Sequence, residues 1–337
     1  MSRWASDPEG AADALIGRSL DDLGLRGSVL LVNQARRLPA LLQARGLATT
    51  VWNRRKTGVL PATAWPPSGP FETALVRLAK ARDEQLMTAH AVLSVLAPGG
   101  RLVLYGGNDE GIRAAAKLIE PVAGPVETMG ARGHGRVLSA CKRGDVAALK
   151  GALADWRIPG AMQIGATTQD WVTYPGVFAA GRLDEGTALL LSALPAVPSR
   201  ARVLDYGCGS GVIGAAIVAQ EPAVLLTMLD SDAVALEAAR ENVPGARVML
   251  GTSLSDVGTE TFDLIVSNPP LHQGIAEDHA LLESLVRDAP ARLGSGGLLQ
   301  MVVQRRVPLE RLLAEHFGGV QVVAENSRFR VWRAQAP

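Results

Sequence analysis

Residues 201–214 read ARVLDYGCGSGVIG and carry the strongest fold signal in the chain. A short apolar run with β-branched residues leads into closely spaced glycines, and the apolar segment VIGAAIVAQ follows at residues 212–220. This order predicts a strand, a tight turn and a helix. The glycines at 209, 211 and 214 have the spacing G-x-G-x-x-G, which brings backbone amides close to a ligand at the start of the helix. The stretch therefore predicts an α/β sheet with a ligand site at its carboxyl edge.

The rest of the second half alternates strand patterns with helical ones. Strand patterns recur at AVLLTMLD, ARVML, FDLIVSN, GGLLQMVV, VQVVAEN and FRVWRA. Helical patterns separate most of them, for example SDAVALEAARENV and DHALLESLVRDAPARL. Such alternation predicts parallel βαβ units in a doubly wound sheet. No helix separates the last two strands, so we expect them to form an antiparallel hairpin.

The first half repeats this pattern in a weaker form. RGSVLLVNQ parallels RARVLDYGC, LATTVWNRR parallels VLLTMLDSD, and HGRVLSACKR parallels RFRVWRAQAP. Similarity at half the chain length indicates duplication of a whole domain. The first copy lacks the glycine turn, so we expect a degenerate domain over residues 1–154 and a catalytic domain over 155–337. A linker is predicted near residues 151–172, where Pro159, Gly160 and Gly165 interrupt the periodicity.

Composition places the chain among globular proteins and leaves its basic half open to two interpretations. The 337 residues are 47% hydrophobic, and no apolar run approaches the ~20 residues of a membrane helix. The first ten residues lack a signal-peptide layout and only two cysteines occur, which predicts a cytoplasmic protein with reduced thiols. Residues 1–150 contain 20 Lys/Arg and 13 Asp/Glu, a net charge of +7, against −6 for the remainder. The excess, densest at residues 36–37, 54–56 and 77–82, predicts either a nucleic-acid contact or solvated surface.

Two acidic residues distinguish the glycine turn from a dinucleotide site. Asp230 follows Gly209 by 21 residues, at the end of the next strand, which also fits an NAD enzyme. Asp205 lies before the glycines, where a carboxylate would repel a pyrophosphate and attract a cationic amino-acid group. Asn268, Pro269, Pro270 and Leu271 end the fourth strand of the second half, at the same ligand-binding edge. This combination favours a cationic nucleoside cofactor over NAD.

Together these features resemble the class I S-adenosylmethionine-dependent methyltransferases that modify exocyclic amino groups. Three segments narrow the resemblance to the bacterial ribosomal RNA guanine-N2 methyltransferases: residues 106–138, residues 173–194 (TYPGVFAAGRLDEGTALLLSAL) and residues 267–274 (SNPPLHQG). The chain length and the ending SRFRVWRA are more similar to the small-subunit branch than to the large-subunit branch. The resemblance covers nearly the whole chain.

The resemblance implies a fold and an activity. It implies two tandem Rossmann-like class I methyltransferase domains, the second with a mostly parallel seven-stranded sheet. It further implies methyl transfer from S-adenosyl-L-methionine to the N2 amino group of a guanine in 16S ribosomal RNA, free or in the assembled 30S particle. The alternatives are a 23S guanine-N2 methyltransferase, a catalytically silent RNA-binding protein with a cofactor fold, and an NAD-dependent oxidoreductase. No membrane or metal partner is expected, since the five histidines show no ligand spacing.

The resemblance also implies roles for particular residues. Asn268 and the backbone of Pro269 would bind the target amino group, with Pro270 stiffening the turn and Leu271 standing where relatives place an aromatic that stacks on the base. Apart from the resemblance, His272 could be a base or phosphate contact or could stabilise the loop through a hydrogen bond. Asp184 and Thr187 belong to the segment expected to close over the methionine end, and Asp184 fits equally well as a helix cap. The expected cofactor ligands are Asp205, Gly207, Cys208, Gly209, Gly211, Asp230, Ser231, Thr252, Ser253, Asn268 and Phe178.

Overall fold

A computed structural model describes residues 8–33, 37–58, 60–132, 134–143, 149–269 and 275–337. It does not describe the side chains of residues 8 and 275–279. The chain divides into two compact units, Met1–Arg157 and Ile158–Pro337. Each unit is built around its own sheet.

The first unit contains a six-stranded sheet in the order β2-β1-β3-β4-β6-β5. Its strands are β1 (Ser28–Val32), β2 (Ala48–Trp52), β3 (Phe71–Arg77), β4 (Leu96–Gly107), β5 (Glu127–Arg132) and β6 (Gly135–Cys141). Its helices are α1 (Pro8–Leu23), α2 (Leu38–Gln43), α3 (Arg82–Val95) and α4 (Ile112–Ala123). The strands β1 to β4 run parallel, and β6 is antiparallel to both of its neighbours. Apolar clusters fill both faces of this sheet, as expected when helices cover a mostly parallel sheet.

The second unit contains a seven-stranded sheet in the order β11-β10-β9-β12-β13-β15-β14, together with a separate hairpin. The hairpin strands are β7 (Ile158–Ile164) and β8 (Thr167–Thr173). The sheet strands are β9 (Arg202–Tyr206), β10 (Leu225–Asp230), β11 (Arg247–Leu250), β12 (Phe262–Ser267), β13 (Leu293–Gln304), β14 (Gly319–Glu325) and β15 (Phe329–Gln335). The helices are α5 (Glu185–Ser192), α6 (Val212–Gln220), α7 (Ala233–Asn242), α8 (Ile275–Asp288) and α9 (Glu310–His316). The predicted α/β class, the duplication and the mostly parallel seven-stranded sheet are confirmed.

The two sheets share one strand order. Removing β11 from the second sheet leaves the order of the first, from β10/β2 at one side to β14/β5 at the other. The final two strands of the second unit pair antiparallel without a helix between them, as the sequence predicted, and the final two strands of the first unit do the same. The strand order reverses between β9 and β12, and the crevice at such a switch point is where ligands bind in open α/β sheets. The site is therefore expected at the carboxyl ends of β9, β10 and β12.

The predicted linker at residues 151–172 is wrong over most of its length. Residues from Ile158 to Thr173 form the β7–β8 hairpin, whose turn contains Gly165 at φ +58°. Met162, Ile164 and Trp171 are buried in the core of the second unit. Pro159 and Gly160, which we interpreted as interruptions, lie in an exposed part of β7, and Gly165 lies in the turn. The hairpin was missed because the alternation of buried and exposed residues is hard to recognise in so short a segment.

In the part of the chain that the structure describes, no helix combines the length and apolar character needed to span a bilayer.

Candidate active site

The glycine turn takes up backbone conformations that side chains disfavour. Gly207, Gly209 and Gly211 have φ values of +74°, +54° and +91°, so L-residues with a Cβ would be strained at each. The turn ends at Gly211, the residue before α6. At Gly214 in the first turn of α6, an added Cβ would lie 2.8 Å from the sulfur of Met228 on β10. The glycines therefore shape the turn and let the helix pack closely on the sheet.

Asp205 lies beneath this turn at the carboxyl end of β9 and is fully buried. Its Oδ2 accepts a 3.0 Å hydrogen bond from the backbone N–H of Gly214, which ties α6 to β9. Its Oδ1 is buried without a partner among the described residues. Burial raises the pKa of Asp205 to about 7, with the Gly214 hydrogen bond acting in the opposite direction and the charge of Asp230 in the same direction. An unpaired carboxylate oxygen in this place fits a cationic ligand group, which would supply the missing partner.

Asp230 holds the outer side of the turn. Its Oδ2 accepts from the N–H of Gly209 at 2.8 Å and its Oδ1 accepts from the N–H of Asp232 at 2.8 Å. The carboxylate remains half-buried at the end of β10, with room for further acceptor bonds. The half-buried Ser231 follows at the start of the next loop. Asp230 thus shapes the turn, and its bond to a ribose remains a prediction.

The segment after β11 is fixed by a residue that sequence analysis missed. Asp256 Oδ2 accepts from the backbone N–H groups of Thr252 and Ser253 at 2.8 and 3.1 Å. The hydroxyl of Tyr206 donates to the carbonyl of Thr252 at 2.8 Å, which joins this segment to β9. The Ser253-x-x-Asp256 spacing is a capping box and was the available sequence signal. Thr252 and Ser253 therefore lie at the same edge as Asp205 and Asp230.

Asn268 is the polar residue that completes this edge. Its Nδ2 donates to the hydroxyl oxygen of Thr187 at 2.8 Å and to Asp184 Oδ2 at 3.2 Å. Because a carboxylate oxygen can only accept, the amide atom that faces Asp184 has to be the nitrogen. The Oδ1 of Asn268 therefore stays available as an acceptor. Pro269, the next residue, is buried.

Of the two roles considered for Asp184, the structure shows the helix cap, and closure over the methionine end remains a prediction. Asp184 is the N-cap of α5, since its Oδ2 accepts from the backbone N–H of Thr187 at 3.1 Å. The same oxygen also accepts from Asn268. The helix cap and the candidate site therefore share one hydrogen-bond network. It joins Asn268 to Thr187, a residue 81 positions away in sequence.

Three predicted residues of the proline turn, Pro270, Leu271 and His272, lie outside the described residues. Phe178 is 52% exposed and begins a turn in which Ala179, Ala180 and Gly181 have φ values of +59°, +49° and +77°. Left-handed alanines cost roughly 1–2 kcal/mol each, and such strain occurs most often at functional sites. Cys208 is buried within the glycine turn. The roles of these residues toward a ligand remain predictions.

A second residue missed from the sequence anchors the glycine turn from behind. Asn242, at the end of α7, is buried and donates through Nδ2 to the carbonyls of Ser210 and Val172 at 2.9 and 2.8 Å. Its Oδ1 accepts from the N–H of Val172 at 2.7 Å. One side chain thus joins the turn to the β7–β8 hairpin. No local pattern marks it, because Val172 lies 70 residues away.

Comparison with known proteins assigns both units to one family. The "Methyltransferase small domain" model matches residues 169–333 and the "Methyltransferase small domain N-terminal" model matches residues 15–152. The ribosomal RNA small subunit methyltransferase C of Hahella chejuensis is 32% identical over 96% of this chain and 91% of its own. The protein of the same name from Pseudomonas aeruginosa (strain LESB58) is 34% identical over 80% of each chain. The chain belongs to the small subunit methyltransferase C family.

A solved structure shows the same fold over nearly the whole length. The 16S rRNA N2 G1207 methyltransferase of T. thermophilus, determined in complex with AdoMet and guanosine, superposes with a TM-score of 0.82. It is 22% identical and covers 97% of this chain and 92% of that chain. Membership of the small subunit methyltransferase C family confirms the resemblance inferred from sequence. It also excludes the alternative that the chain is an NAD-dependent oxidoreductase.

The first unit lacks the residues that form the candidate site in the second unit. When Val29 of β1 is matched to Val203 of β9 through the strand pairings, Leu31 falls at the position of Asp205 and Arg77 at that of Asn268. Arg77 is buried, and its guanidinium donates to both carboxylate oxygens of Glu110 at 2.7 and 2.5 Å and to Glu9 at 2.9 Å. A closed cation–carboxylate cluster thus replaces the acceptor amide and the buried acid.

Fewer basic residues of the first unit are available to contact a nucleic acid than its net charge suggested. Arg54 and Arg77 are buried, and Arg55 donates to both oxygens of Glu84 at 2.6 and 3.0 Å. The three arginines therefore pair with carboxylates within their own unit. Arg82 is exposed, and residue 36 lies outside the described part of the chain. These three guanidiniums are already paired with carboxylates, so they fit neither of the two interpretations of the basic excess, and an RNA contact by the first unit remains a prediction.

Proposed function

We propose that this protein transfers a methyl group from S-adenosyl-L-methionine to the exocyclic N2 amino group of a guanine in 16S ribosomal RNA. The observation that carries the proposal is Asn268, whose nitrogen is held by Thr187 and Asp184 while its carbonyl oxygen has no hydrogen-bond donor among the described residues. The names of the family relatives support RNA of the small subunit as the substrate.

Different residues of the second unit would bind different parts of the cofactor. The glycine turn (Gly207, Cys208, Gly209 and Gly211) and Asp205 would hold the methionine end. Asp230 and Ser231 would hold the ribose, Thr252 and Ser253 would lie beside the adenine, and Phe178 would help to cover the cofactor. When bound, the cofactor supplies a methyl group on a cationic sulfonium, which is already a strong electrophile. The protein contributes alignment and the exclusion of water.

Asn268 and Pro269 would orient the nucleophile. The lone pair of guanine N2 is delocalised into the ring, which makes the amino group weakly nucleophilic. Two acceptors directed at its two N–H bonds, the Asn268 Oδ1 and the Pro269 carbonyl, would turn the lone pair out of the ring plane. Pro269 and Pro270 lack N–H groups and restrict the residues before them, so their carbonyls would sit in a stiff frame. A base within a duplex would first have to be extruded from its stack.

We also infer that residues 1–154 serve mainly to hold RNA. Their net charge is positive, and the active-site positions of the first unit are filled by Arg77 and its partners. The assembled 30S particle is the substrate form that we propose, because a second RNA-binding unit suits a surface that is larger than one stem. Naked 16S RNA is the comparison that tests this choice.

The decisive experiment is methyl transfer from radiolabelled S-adenosylmethionine to 16S RNA, to 30S particles and to 23S RNA, each lacking the modification. We expect transfer to one guanine of the small-subunit RNA, with loss of at least about a hundredfold in rate for Asn268→Ala and nearly unchanged cofactor affinity. Transfer to 23S RNA alone would establish the large-subunit alternative. Absence of transfer to every substrate would leave the silent RNA-binding protein.

A further inference from the structure

Four arginines lie together at the sheet edge that carries the candidate site. Because β13 runs parallel to β12, Arg305 and Arg306 follow the end of β13 at the edge where Asn268 follows β12. Because β15 runs antiparallel to β13, Arg328 and Arg330 lie at the start of β15 at that same edge. The N–H of Arg305 donates to the carbonyl of Arg328 at 2.8 Å, which brings the two strand ends together. We refer to Arg305, Arg306, Arg328 and Arg330 as the arginine rim.

The arginine rim is hydrogen-bonded to the first residue of α5, next to the cap residue that accepts from Asn268. The guanidinium of Arg328 donates to Glu185 Oε2 at 2.5 Å, and Asn326 donates to the other oxygen of the same carboxylate at 3.2 Å. Glu185 follows Asp184, which caps α5 and accepts from Asn268. The rim therefore lies beside the amide that is proposed to bind the target base.

The rim carries more positive charge than its carboxylate partners neutralise. Glu325 pairs with Arg330 at 2.9 Å and with Arg305 at the long distance of 3.9 Å. Glu185 pairs with Arg328, whose side chain is still 69% exposed. Arg306 is exposed, and its guanidinium has no ion pair or hydrogen bond within the described residues. Three guanidiniums thus share two carboxylates and that of Arg306 has none among the described residues, in a half of the chain whose net charge is −6.

We propose that the arginine rim binds the RNA phosphates that flank the target nucleotide. Guanidinium groups match the geometry of phosphate oxygens, and exposed arginines with weak or absent partners can take up that role with little desolvation cost. Phosphate contacts would fix the position of the strand while Asn268 engages the base. The inference rests on the proposed function for the identity of the partner. It adds RNA contacts on the second unit to those proposed for residues 1–154.

The test compares two double variants of the full-length protein. Arg305→Gln/Arg306→Gln removes two charges from the rim. Arg202→Gln/Arg247→Gln removes two charges from the opposite sheet edge, where both arginines begin strands and pair with Glu260. Affinity for a radiolabelled 16S RNA transcript is measured by filter binding between 50 and 200 mM salt. The single variant Arg306→Gln, which breaks no ion pair, guards against a folding defect in the rim double variant.

We expect the rim variant to bind RNA at least about fivefold more weakly at 50 mM salt and the salt slope to fall by about 1.4, the value for two contacts to single-stranded RNA. Arg306→Gln should show about half of that change in slope, and the control variant should bind like the wild type. Equal affinities for the rim and control variants would overturn the inference. Methyl transfer by the wild type decides the proposed function separately. A rim effect without methyl transfer would refute that function and retain the RNA contact.

Discussion

Asn268 can accept a hydrogen bond from a substrate only while its amide keeps one of two orientations. Thr187 and Asp184 fix this orientation, because both accept from the Asn268 Nδ2, at 2.8 and 3.2 Å. Asp184 is also the cap of α5, so its removal would damage the helix as well as the site. Thr187 can be changed with its backbone bond to the cap intact, and it is therefore the residue that isolates the orientation of the amide.

We predict that Thr187→Val slows methyl transfer by about tenfold or more at saturating substrates, because the amide loses the nearer of its two acceptors. The cofactor affinity measured by calorimetry should stay within about twofold of the wild type. Thr187→Ser keeps a hydroxyl and should recover most of the rate. A valine variant with the wild-type rate, or one whose loss follows cofactor affinity, would show that Thr187 does not position Asn268.

Asp205 gives the second prediction at this scale, which concerns pH. Its pKa is raised by burial from 3.8 in the unfolded chain to about 7 in the folded one, so the folded state binds the proton more tightly. Its stabilising contribution is complete below pH 3.8 and is lost as the pH rises through about 7. Asp205→Asn can still accept from Gly214 but carries no charge. In the absence of cofactor, the unfolding free energy of the variant relative to wild type should rise by roughly 2–3 kcal/mol between pH 5 and pH 8.

Urea titrations of both proteins at the two pH values measure this difference. Asp263, exposed at the other end of the same sheet, provides an Asp→Asn control at the protein surface. A relative stability of Asp205→Asn that does not change with pH would mean that Asp205 keeps an ordinary pKa. The same variant should bind the cationic cofactor more weakly at pH 8, where the wild-type carboxylate is charged.

At the scale of elements, Asn242 links three pieces of chain that meet behind the glycine turn. Its buried amide makes hydrogen bonds to Val172 of β8 and to Ser210 of the turn. Asn242→Ala would leave the N–H and carbonyl of Val172 and the carbonyl of Ser210 without this partner. We predict a loss of about 3 kcal/mol in unfolding free energy and a weaker cofactor affinity. Gln163→Ala, on an exposed part of the same hairpin, should cost less than about 0.5 kcal/mol in the same urea titration.

The elements that sequence predicted well are those with strong local patterns. The predicted helix VIGAAIVAQ coincides with Val212–Gln220, because an apolar run after a glycine turn has few alternatives. The β7–β8 hairpin was missed since its turn glycine resembled a linker. Thr187 and Asn242 could not be connected to their partners from sequence, because the contacts span 81 and 70 residues and depend on how the strands are ordered.

At the scale of the whole molecule, the duplication could be predicted from the sequence. Which charged residues pair with each other and which stay exposed could not. The repeated strand patterns correctly predicted two sheets with a common order, because each pattern is set by local hydrophobicity. The net charge of +7 in residues 1–150 suggested either a nucleic-acid contact or solvated basic surface. Several of those arginines instead meet carboxylates far away in sequence, such as Arg77 with Glu9, 68 residues apart. Composition reports the number of charges, and only the fold decides which of them remain exposed.

The loss of one site predicts that each chain binds a single cofactor molecule. In the first unit Leu31 replaces the buried acid, Asn53 replaces Asp230, and the Arg77 cluster fills the position of Asn268. Calorimetric titration of the wild type with S-adenosylmethionine should therefore give a stoichiometry of about one. Gly211→Val should abolish binding, since a side chain there is strained at φ +91° and its Cβ would meet Val243 at 3.0 Å. Asn268→Ala should still bind one molecule, and a stoichiometry of two would show that the first unit retains a working site.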